Sequence, residues 1–136
     1  MLPFSRIAII GLGLIGSSIA RGIRDAMPTV HITGHDAGAD VRGTARRIDL
    51  CDDVTDLAAT AVVDADLIIL CVPVGAMADV AASIAADLPA DAVVSDVGSS
   101  KASVLAALEA ALPGRTIIPA HPVAGTEKSG PEAGFA

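Results

Sequence analysis

Three glycines near the start of the chain, spaced Gly11-x-Gly13-x-x-Gly16, restrict the fold more than any other feature. Before them stands RIAII (6–10), a short apolar run that reads as a buried strand. After them comes LIGSSIARGIRDA (14–26), in which Ile15, Ile19, Ile23 and Ala26 recur on one helical stripe until Pro28 forbids continuation. A strand therefore passes through a tight glycine turn directly into a helix.

The same alternation continues along the chain. VHIT (30–33) predicts a second strand, and GADVRGTARRI (38–48) a weak helix that Gly43 loosens. The strongest strand runs from Leu67 to Val72 and stops at Pro73. An alanine-rich helix over 75–88 places Met77, Val80, Ile84 and Leu88 on its apolar side. A strand over 91–97, a helix over 101–112 ended by Pro113-Gly114, and a strand over 115–120 follow. Strands alternating with helices of this length predict βαβ units, hence an α/β fold with a doubly wound, mostly parallel sheet. The 136 residues suit one domain, with no internal repeat. With 52% hydrophobic residues but only two Phe and no Trp or Tyr, the core must be aliphatic, as a sheet buried on both faces requires.

The formal charge of −7, with no Lys/Arg block, argues against nucleic acid or an anionic membrane as partner. The two cysteines, Cys51 and Cys71, form no redox or metal-binding spacing, so a cytoplasmic chain is expected. The first twenty-odd residues share Arg6 and an apolar run with export signals, but the spaced glycines and the helical pattern before Arg21 and Arg24 argue against that reading. No segment reaches the length of a membrane span.

In a strand–turn–helix context each glycine has a task. Gly11 allows the turn, Gly13 lets a pyrophosphate approach the backbone of Leu12, Leu14 and Ile15, and Gly16 lets the helix pack on the strand. Asp36 lies twenty residues beyond Gly16, where a carboxylate meets ribose hydroxyls and repels a 2′-phosphate, which favours NAD. A solvated Asp36 in a plain loop fits the same pattern, and His35 is placed either against adenine or on the surface. Val72, Pro73 and Val74, at the carboxyl end of the strongest strand, are expected to wall the cofactor, with a simple strand-ending proline as the alternative; Cys71 is counted with that wall and read as a packed small hydrophobe. In SDVGSSK (95–101), Gly98 opens a turn, Ser99 or Ser100 can cap the following helix, Asp96 can hold the loop, and Lys101 is either structural or draws an anion.

His121 follows the last strand in AHPVAGTEKSG and should share the edge of the glycine turn. An imidazole there can take the proton of a reacting alcohol. A strand-end histidine bonded to the backbone satisfies the same pattern. Thr126, Glu127, Lys128 and Ser129 add polar groups, and the three dispersed histidines show no metal-ligand spacing.

Taken together, GLGLIGSSIA, GHD, LCVPVGAM, DVGSSK and HPVAGTEKSGPEAGF resemble the nucleotide-binding half of the prephenate/arogenate (cyclohexadienyl) dehydrogenases of tyrosine biosynthesis. The resemblance covers nearly the whole chain, and the last stretch is its most specific part. It implies a Rossmann-type domain and NAD-dependent oxidative decarboxylation of prephenate or arogenate. It assigns His121 as proton acceptor for the ring hydroxyl and Ser99 as the serine that orients it. Gly98 and Ser99 then border the nicotinamide, Thr126 and Glu127 the substrate pocket entrance, and Asp36 the ribose. Ser100 departs from the valine usual in the family. The family's helical C-terminal domain, through which a homodimer forms, lies outside these 136 residues. Two alternatives remain at this level: another small NAD-dependent hydroxyacid or imine oxidoreductase, and a nucleotide-binding module without chemistry.

Overall fold

The computed structural model describes residues 4–97 and 102–120. The elements alternate as β1 (Arg6–Ile10), α1 (Leu14–Ala26), β2 (His31–His35), α2 (Ala39–Arg47), β3 (Asp53–Thr55), α3 (Ala58–Val62), β4 (Leu67–Leu70), α4 (Val74–Ile84, extended by a 3₁₀ turn Ala85–Asp87), β5 (Val93–Val97), α5 (Ala102–Ala111) and β6 (Thr116–Ala120). Among the described residues the strands form one six-stranded sheet in the order β3-β2-β1-β4-β5-β6. Every pairing is parallel, from Arg6 opposite His31 on one side of β1 to Ile7 opposite Leu67 on the other. This is a doubly wound arrangement, with chain direction across the sheet reversing between β1 and β4.

The period-2 alternation of each central strand feeds two separate cores. Ala8, Ile10, Ile68, Leu70 and Val94 face one side, where they pack with Met77, Ala81 and Ile84 of α4 and with Val104, Leu108 and Leu112. Ile7, Ile9, Ile32 and Ile69 face the other side, against Ile19, Ala20 and Ile23 of α1 and Ala45 of α2. Each fully buried Ile or Leu contributes roughly 1.5–3 kcal/mol relative to an exposed one. The central strands are buried on both faces, which is why their sequence is continuously apolar rather than alternating.

Several boundaries differ from the expectations. β2 begins at His31 and extends to His35, two residues beyond the apolar run, because its partner β1 continues alongside it through Ile10. β4 ends at Leu70 rather than Val72, since Pro73 already stands at the cap of α4. The buried stripe of α1 consists of Gly16, Ile19, Ala20 and Ile23, while Ile15 and Ala26 are exposed. Close packing of Gly16 turns that face inward. β3 and α3 carry no sequence expectation at all.

Side-chain bonds fasten the strand starts. Both carboxylate oxygens of Asp66 accept bonds at the head of β1, from the Ser5 N–H and hydroxyl and from the Arg6 N–H at 3.0–3.1 Å. Asp52 accepts the Ile32 N–H at 2.8 Å and pairs with Arg24 of α1 at 3.3 Å, joining a helix to β2. Arg115 donates to the carbonyls of Ala85, Leu88 and Pro89, covering acceptors that the end of α4 leaves without helical partners.

Candidate active site

The carboxyl ends of β1, β2, β4 and β5 open onto one cleft of about 700 Å³ at the point where the strand order reverses. Its floor is the glycine turn. Gly11 has a φ of +102°, and a Cβ there would come 2.5 Å from the Cys71 carbonyl oxygen, so only glycine fits between β1 and β4. A Cβ on Gly16 would collide with the Gly11 carbonyl, so this glycine lets α1 start directly against the turn. Gly13 is different: nothing lies within 4 Å of the place its Cβ would take. The space above Gly13 is open for a ligand, and Gly13 itself caps α1.

No side chain caps α1 and no acidic residue stands in its first turn. Its first N–H groups, which helix geometry leaves without intrahelical acceptors, therefore meet no capping side chain and carry the positive end of the helix dipole into the cleft. An anion is the complementary ligand.

Asp36 follows β2 and lines the cleft beside His35 and Ala37. One carboxylate oxygen accepts the Leu12 N–H at 2.8 Å, the other the Gly38 N–H at 2.8 Å. The acid thus holds the glycine turn as well as facing the cleft. A carboxylate has roughly four acceptor positions, so two remain for a ligand's hydroxyls. The His35 carbonyl accepts the Gly11 N–H at 2.7 Å, and its ring Nδ1 lies 2.9 Å from the Thr55 carbonyl. With Nδ1 donating to that carbonyl, the ring is oriented by β3, a strand without a sequence signal.

The opposite wall is apolar: Cys71, Val72, Pro73, Val74, Ala76 and Val80. Burial pushes the Cys71 thiol up to about 12. This excludes a thiolate at neutral pH, in keeping with a packing role. Leu14, Ile15 and Val74 expose their side chains at the cleft. Leu12, by contrast, buries its side chain in the core with Ile9 and Ile19, so only its backbone faces the turn. Gly16 belongs to the turn's packing and does not line the cleft.

Asp96 is buried in β5, next to the strand end where Val97 reaches the cleft. Gly98, Ser99, Ser100 and Lys101, and the whole stretch from His121 through Thr126 and Glu127 to the last residue, lie outside the described residues. Sequence reasoning missed the backbone grip of Asp36 on Leu12, which depends on two segments brought together by the sheet.

A glycine turn at the switch point of a parallel sheet, with an acid after the second strand, defines a dinucleotide-binding α/β domain. Residues 19–136 match the family described as prephenate dehydrogenase, nucleotide-binding domain, and the chain belongs to that family. The glycine turn precedes the matched span, but a cyclohexadienyl dehydrogenase of Zymomonas mobilis aligns along all of this chain at 51% identity, covering 46% of its own length. A prephenate dehydrogenase of Lactococcus lactis is 38% identical over 92% of this chain and 36% of its own. The chain therefore spans less than half the length of these curated relatives. Among solved structures, prephenate dehydrogenase from A. aeolicus in complex with hydroxyphenyl propionate and NAD+ superposes with a TM-score of 0.81 at 30% identity, over 96% of this chain and 46% of that one.

Proposed function

We propose that this chain is the cofactor-binding half of an NAD-dependent cyclohexadienyl dehydrogenase. The complete enzyme would oxidatively decarboxylate prephenate, arogenate or both, giving 4-hydroxyphenylpyruvate or tyrosine. The observation that carries this reading is the cleft at the switch point, with Gly13 opening onto free space and Asp36 at its rim, in a chain of this family. The likeness to an enzyme solved with NAD+ supports the choice of cofactor.

The residues fit the group. The N–H groups at the start of α1 and the open backbone at Gly13 would hold the pyrophosphate. The free acceptor positions of Asp36 would take the two hydroxyls of the adenosine ribose. Cys71, Val72, Pro73 and Val74 offer an apolar wall that keeps water from the ring. NAD, when bound, supplies the hydride acceptor. Gly98 and Ser99 follow β5, and His121 follows β6, whose register sets Ala120 beside Val97. That chain order supports His121 as the base that accepts the proton of the ring hydroxyl, with Ser99 orienting both. Thr126 and Glu127 are assigned to the pocket entrance.

The complete protein is proposed to be a cytoplasmic homodimer, joined through a helical domain outside these residues. Both cysteines are free thiols, which supports a reducing compartment. No described helix is long and apolar enough to cross a membrane.

In the full-length enzyme, His121→Asn should retain NAD affinity and lower turnover by about 10²–10⁴-fold, the usual contribution of a positioned base. NAD titration and initial rates with both substrates test this. Unchanged turnover would remove His121 from the reaction.

A further inference from the structure

We propose that Asp56 is a second determinant of cofactor selectivity: by pairing with Arg42 and Arg46 it withholds a guanidinium from the ribose end of the cleft. The inference rests on the NAD reading above and adds a residue to it.

Arg42 of α2 lies directly under the turn that follows β2. Its Nη1 donates to the carbonyls of Asp36 at 2.9 Å and Ala37 at 3.2 Å, both in residues that line the cleft. Its Nε lies 3.3 Å from Asp56 Oδ1, and only 17% of the side chain is exposed. Arg46, one helical turn on, donates from Nη2 to the same Asp56 oxygen at 2.9 Å and to the Val54 carbonyl at 2.9 Å. One carboxylate oxygen thus meets two guanidinium groups, hydrogen-bonded to Arg46 and ion-paired with Arg42. The Arg46 hydrogen bond, with the charges of Arg46 and Arg42, holds the Asp56 carboxyl below its ordinary range, so it is ionised at neutral pH.

A 2′-phosphate adds up to two negative charges at the ribose, and a planar guanidinium is the side chain best matched to it. This chain already carries such a group within hydrogen-bond distance of the Asp36 backbone. Two carboxylates stand against its use. Asp36 occupies the ribose position with like charge, and Asp56 ties Arg42 down from beneath. Removing Asp36 alone therefore leaves Arg42 paired with Asp56, whereas removing both carboxylates releases its Nε edge to meet a phosphate while Nη1 keeps the group on the Asp36 and Ala37 carbonyls.

The test uses the full-length protein and titrations of NAD and NADP with wild type, Asp36→Ser, Asp56→Glu, the Asp36→Ser/Asp56→Asn double variant, and the double variant carrying Arg42→Gln. Thermal midpoints are recorded for each. The double variant should show an NADP-to-NAD affinity ratio about tenfold above that of Asp36→Ser, the scale of one hydrogen bond to a charged group. Arg42→Gln should return the ratio to the Asp36→Ser value, and Asp56→Glu, which keeps the pairing, should leave the wild-type ratio in place. A purely structural Asp56 would lower the thermal midpoint without moving the ratio. NAD binding by the wild type with an unmoved ratio in the double variant, or a gain that survives Arg42→Gln, overturns the inference alone. A wild-type protein that binds neither nucleotide overturns the cofactor reading and the inference with it.

Discussion

The thiols show how position decides chemistry at the scale of single residues. Burial pushes the Cys51 thiol up to about 11, with Arg24 pulling it down and Asp52 pushing it up, and burial alone takes Cys71 to about 12. Both therefore remain protonated at physiological pH, and the thiolate is the nucleophile. At pH 8 iodoacetamide should leave both unmodified in the native protein and alkylate both after denaturation, as read by intact mass. Rapid native labelling of Cys71 would contradict its packed environment. The packing role of Cys71 was readable in the sequence, where no base or cation stands near it. That Cys51 packs against Gly34 was not: a Cβ on Gly34 would meet the Cys51 sulfur at 2.7 Å, across seventeen residues of chain.

Among the elements, β1 and α1 were legible because a continuous apolar run, a glycine turn and a period-3.6 stripe agree locally. β3 was not, since Asp53–Thr55 is a three-residue edge strand with one apolar residue, and α3 has only five. Both are fixed by neighbours instead: β3 by register with Thr33–His35, and α3 by burying Ala61 and Val62 under the sheet. The glycines of the turn divide into two kinds that an experiment can separate. Gly16→Val drives atoms into the Gly11 carbonyl and should lower stability by about 1–3 kcal/mol, as overpacking does, while also displacing α1. Gly13→Ala adds a methyl into open space and should cost no more than about 1 kcal/mol, the scale of a poorer N-cap, while weakening NAD. Urea unfolding alongside NAD titration checks the pair; equal loss of stability in both would refute the division.

For the whole molecule, acid stability follows from carboxylates that tie separate elements together. Burial works against the charge of Asp52, but the Ile32 N–H and the Arg24 guanidinium outweigh it and hold the carboxyl below its ordinary range. Asp56 is lowered as well. A carboxyl with a lowered folded pKa contributes stability above its unfolded pKa and loses it as pH falls through the folded one. The thermal midpoint should thus be flat near neutrality and fall below about pH 4, the ordinary carboxylate range. Asp52→Asn should lower the neutral plateau and flatten that acid limb; a limb of unchanged depth would show that Asp52 contributes nothing to it. The parallel sheet and its glycine turn were foreseeable from the chain, whereas the ties across it, Asp52 to Arg24 and Asp56 to Arg42, join residues 28 and 14 positions apart and form only once the sheet has assembled. Asp36 is the tie with the widest reach. Since its carboxylate also grips the Leu12 amide, any lineage that trades this acid for a neutral residue to accept a different dinucleotide inherits a slackened phosphate cradle, so a shift in preference and a fall in overall grip should arrive together until a second change restores the lost acceptor.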